Sequence, residues 1–102
     1  MKLFIRFTND IYQDIENGSS KNLFTEESFE GLCAYSFEVM PHEDIEVAGI
    51  DRAKELAGWN AQTYADAYDG NFAIFEGDYL GSGLDGVIVR PGRVIYEGNI
   101  ND

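Results

Sequence analysis

Glu76 and Asp78 flank a glycine in the run Phe75-Glu76-Gly77-Asp78, directly after the apolar stretch Phe72–Phe75. Carboxylates at the end of a strand stand where a rigid scaffold can present them to a ligand, and the plainer reading is an acidic turn. Arg6 lies in the middle of the alternating segment Lys2–Thr8. If both faces of that strand are covered, its charge needs a partner; on an edge strand it simply faces solvent. Ser36 and Glu38 close one face of Gly31–Met40 and look into solvent or a cleft. Cys33 shares the other, apolar face with Tyr35, Phe37 and Val39 and reads as a buried thiol rather than a nucleophile. His42, the single histidine, sits beside Glu43 and Asp44 and reads as an exposed loop residue. No second cysteine or histidine cluster supports a metal site.

The elements that position these residues follow from periodicity. Leu3, Ile5 and Phe7 alternate with Lys2, Phe4 and Arg6, a strand by its period of two, with Phe4 implying that both faces are partly covered. Asn9-Asp10 offers an N-cap for a short helix carrying Ile11, Tyr12 and Ile15, which Gly18 stops. Thr25-Glu26-Glu27-Ser28 resembles the start of a helical turn. Gly31–Met40 is a second strand, and Pro41–Ile50 breaks the pattern as an acidic segment. Asp51 caps a helix over RAKELAGW, and Asn60 caps another over AQTYADAY, with Trp59 anchoring the join. The last third, Asn71–Tyr96, holds three short apolar runs: Phe72–Phe75, Val87–Val89 and Val94–Tyr96. Glu76-Gly77-Asp78, a flexible Gly81-Ser82-Gly83 connector and a type II turn at Pro91-Gly92 separate them. The expected fold is α+β: a small, mostly antiparallel sheet with two to three short helices in a single domain over residues 1–102.

Charge narrows the function. Nineteen acidic residues against seven basic ones give a net charge of −12. Direct nucleic-acid binding is disfavoured, since phosphate contacts need lysine and arginine. The charge either keeps the protein soluble or suits it to a partner with a basic surface, as in inhibitors that mimic DNA. No stretch reaches the roughly 20 apolar residues of a membrane span, and the N-terminus does not read as a signal peptide. With one cysteine, an intracellular, cytoplasmic setting is expected.

Three separated features resemble the ADP-ribosyltransferase fold as it occurs in small phage and mobile-element proteins, anti-CRISPR members included. Phe4-Ile5-Arg6-Phe7-Thr8 is similar to the family's first-strand arginine, and Ala34-Tyr35-Ser36 to its second-strand serine. Ala61–Ala65, then Phe75–Asp78, then Asp85–Val89 is similar in order to the helix, acidic strand end and closing strands of the family's C-terminal half. The resemblance implies NAD as cofactor, with Arg6 on the pyrophosphate, Ser36 at the second-strand serine position and Tyr35 or Phe37 stacking on nicotinamide. Glu76 or Asp78 would stabilise the oxocarbenium-like centre and orient the acceptor. The chain lacks the family's Ser-Thr-Ser element, so a copy that keeps the fold without catalysis is the variant reading. The implied functions are therefore an NAD-dependent modifier of a host protein or a non-enzymatic acidic inhibitor of a basic, nucleic-acid-binding surface.

Overall fold

Alternation at the N-terminus becomes strand β1 (Leu3–Phe7) in a computed structural model that describes residues 2–22, 24–58, 66–83 and 86–102. Both faces of β1 are covered, as Phe4 implies: Phe4 is 1% exposed on one side and Ile5 0% on the other. Helix α1 (Ile11–Asn17) follows with the expected ends. The Asp10 carboxylate accepts from the Gln13 N–H at 3.1 Å, and the Gly18 N–H returns to the Ile15 carbonyl. Ile11 is buried and Ile15 packs behind it, whereas Tyr12 faces solvent.

The segment after α1 differs from the helical turn expected at Thr25–Ser28. It forms a small hairpin of β2 (Ser20–Lys21) and β3 (Ser28–Phe29). The Asn22 side-chain oxygen accepts from the N–H groups of Phe24 and Thr25 at 2.9 and 3.3 Å. That local turn competes with a helix, and Glu26 completes the reversal at φ 62°.

Strand β4 (Leu32–Phe37) is shorter than the Gly31–Met40 expected. Cys33 is exposed rather than buried, which corrects the reading of its face. The reason is that both faces of β4 are used, at different ends. Leu32 and Ala34 pack in a cluster with α1, while Phe37 and the half-buried Tyr35 pack in the cluster that contains helix α2 (Ile45–Ala57). Helix α2 starts inside the segment read as patternless. Asp44, rather than Asp51, caps it, accepting from the Glu46 and Val47 N–H groups. Gly49 lies within the helix because a β-carbon there would run into Ile74. Trp59, Asn60 and residues 61–65, where the second helical piece is expected, lie outside the described residues.

The last third forms two long strands, not three runs joined by turns. β5 (Asn71–Ser82) and β6 (Val87–Asn99) pair antiparallel from Asn71↔Asn99 to Ser82↔Val87. Glu76-Gly77-Asp78 and Pro91-Gly92 therefore sit within strands, Gly77 opposite Pro91, at a place where the register shifts. Gly92 does not take positive φ, so no type II turn forms. The length of the β5–β6 ladder overrides the local turn chemistry, and the irregularities bend it. That bend lets β6 reach β4 and closes the strands into a small barrel in the order β1-β4-β6-β5. The chain is thus an α+β fold with a small antiparallel sheet, and two helices are complete among the described residues.

Candidate functional site

Arg6 does have the partner its position calls for. Its Nε donates to Asp14 Oδ2 at 2.9 Å and its Nη1 to the Cys33 carbonyl at 2.8 Å. The same Asp14 oxygen accepts from Thr8 Oγ1 at 2.6 Å, and Thr8 Oγ1 in turn accepts from the Asp10 N–H. The network ties the middle of β1 to α1 and β4. Both charged side chains are about three-quarters covered, at 26% and 28% exposure. Asp14 and Thr8 are not among the candidate residues read from the sequence. A signal existed: Asp14 lies on the same helical stripe as Ile11 and Ile15, a charge turned toward a mid-strand arginine.

Register decides which of the other expected residues can meet. Residues paired across antiparallel strands share a face, and neighbours along a strand alternate. Phe4 pairs with Ser36 and Arg6 with Ala73, so Arg6 and Ser36 share the Phe4 face. Ile5 pairs with Tyr35 and Leu3 with Glu76, so Tyr35 and Glu76 share the opposite face. Arg6 and Glu76 are further separated by three rows along the ladder, about 10 Å. Glu76 holds Arg93 at 3.3 Å, and Asp78 is exposed opposite Arg90. Arg6 and Ser36 thus lie on one face and Tyr35 and Glu76 on the other, and the Arg6 guanidinium already carries a carboxylate and a carbonyl.

A second polar centre had no signal in the sequence. The Tyr96 hydroxyl donates to Glu46 Oε1 at 3.2 Å, joining β6 to the first turn of α2. The Tyr96 ring meets Phe72 edge-on, with centroids 6.1 Å apart. Burial, the hydrogen bond to Glu46 and the charges of Glu46, Asp102 and Asp44 together raise the phenol above its ordinary value of 10.0. Glu46 in the first turn of α2 is thereby held against β6.

The remaining surface is acidic. Every described Asp and Glu except Asp14 and Glu76 is exposed. Three arginines (Arg6, Arg52 and Arg93) pair with the chain's own carboxylates: Asp14, Glu55 and Glu76. Among the described residues no group of His, Cys, Asp and Glu could hold a metal ion, and no helix is long and apolar enough to cross a membrane. His42 is exposed, as expected, and the Cys33 sulfur lies 3.9 Å from Ser20 Oγ. Comparisons with protein-family models, with curated proteins and with solved structures found no match.

Proposed function

We propose that this protein acts as a non-enzymatic acidic module that docks on a basic surface of a protein partner, of the kind that binds nucleic acid. One observation carries the reading. Every described Asp and Glu except Asp14 and Glu76 is exposed, while Arg6, Arg52 and Arg93 are each paired with a carboxylate of the chain itself. Each of those pairs cancels one carboxylate, and the unpaired excess, a net charge of −12, favours encounter with a basic protein surface. Glu16 on α1, Glu46, Asp51 and Glu55 on α2, Asp78 on β5 and Glu97 on β6 are presented from regular elements, which favours shape-specific docking over diffuse attraction.

The test is competition. Purified basic nucleic-acid-binding proteins are titrated with the chain in the presence of labelled duplex DNA, beside an unrelated acidic protein of equal net charge. Displacement of DNA by this chain, and not by the control, supports the reading; equal displacement by both sinks it. The NAD-dependent reading, with Arg6, Ser36 and Tyr35 on the cofactor and Glu76 or Asp78 as the catalytic carboxylate, is tested separately by calorimetry with NAD. Saturable binding lost in Arg6→Ala, in a chain that remains folded, would replace the docking proposal.

A further inference from the structure

We propose that the edge of β6 at Val94–Asn99 accepts a basic, extended peptide segment as an added antiparallel strand. The inference rests on the docking reading above and gives it a place and a partner chemistry. β5 pairs with β6 along its length, but β4 pairs only with Val87–Val89. Beyond Val89, no strand pairs with the other edge of β6 among the described residues. Helix α2 meets this strand through side chains, as the Tyr96–Glu46 bond shows. Alternate backbone N–H and C=O groups of an outer strand point away from its neighbour and form a ready template for another strand. Pro91 has no N–H, and the β5–β6 register is irregular up to Val94 and regular from Tyr96 to Asn99. The usable edge is therefore the final segment.

Charge selects the occupant. Glu97 is exposed in this segment, Glu46 lies 3.2 Å from the Tyr96 hydroxyl, and the charges of Asp102 and Asp44 act on the same phenol. A second copy of the chain would bring a further −12 charge to the same place. A peptide with alternating basic residues meets carboxylates instead. Main-chain bonds would supply affinity, and the alternate side chains specificity.

Hydrogen exchange on the full chain tests this, with a synthetic peptide of alternating lysine and valine as probe and its backbone N-methylated form as control. In the free chain, alternate amides from Val94 to Asn99 exchange rapidly; the lysine–valine peptide slows them, and the methylated form does not. Glu97→Lys weakens binding of the probe about fivefold by replacing an attractive cross-strand pair with a repulsive one. Slow exchange of all these amides in the free chain overturns the inference, because the edge is then already covered. Equal binding of both peptides also overturns it, yet leaves the acidic docking reading standing. Absence of binding by either peptide at low salt defeats both.

Discussion

Replacing Asp14 by alanine removes the one acceptor shared by Arg6 Nε and Thr8 Oγ1. Arg6 then keeps only the Cys33 carbonyl, in a site where its side chain is 26% exposed. A hydrogen bond to a charged group contributes about 1.5–3 kcal/mol, and a neutral one about 1. Partial exposure screens the ion pair toward the surface range of about 0–1 kcal/mol. The balance is a loss of about 2 kcal/mol, or a fall in Tm of about 8–12 °C for a chain of this length. Urea unfolding followed by circular dichroism measures it. Arg6→Met and the double variant complete a cycle. The structure predicts that the two single losses overlap, because each breaks the same bond, with a coupling of about 1 kcal/mol. A loss below about 0.5 kcal/mol for Asp14→Ala, or strictly additive effects, would refute the view that this network fixes α1 on the barrel.

Tyr96→Phe removes the bond to Glu46 and lowers stability by about 0.5 kcal/mol near neutral pH. The phenol is raised in the folded state, so its contribution is whole below the unfolded value of about 10 and is lost as pH rises through the folded value. The variant's alkaline unfolding curve should therefore be flatter than the parent's, and identical curves would contradict the assignment. Gly49→Ala should destabilise by about 1 kcal/mol although alanine is the better helix former, because the new methyl meets the fully buried Ile74; stabilisation in a melt would show that α2 does not pack this closely. Cys33 should react fully with an aromatic disulfide reagent in the native protein, and reaction only after unfolding would contradict its exposure.

Where local chemistry and tertiary packing agree, the fold was legible. The alternation of Leu3–Phe7, the Asp10 cap and the Gly18 stop all needed only neighbouring residues, and they stand as expected. Elsewhere packing decided. The acidic segment Pro41–Ile50 read as a break in the pattern, yet α2 starts within it at Ile45, and Pro91-Gly92 suggested a turn that the long partner strand β5 does not permit. Cys33 shows the same limit of pattern reading. Its strand was taken to have one buried face, but α1 covers Leu32 and Ala34 while α2 covers Phe37. The candidate residues were found singly, whereas their grouping depends on register. Only the pairings of β1 with β4 and β5 reveal that Arg6 and Glu76 occupy opposite faces. The acidic surface was legible from composition alone; the internal pairing of three arginines was not.

The central claim, docking through a rigid acidic surface, is tested most directly by the salt dependence of affinity for a basic protein that the chain displaces from DNA. The account predicts a steep, steady fall in affinity as the screening length shortens from about 30 Å at 0.01 M salt to about 8 Å at 0.15 M. It also predicts a folded chain throughout, reported by unchanged circular dichroism. Affinity that is indifferent to salt would contradict it.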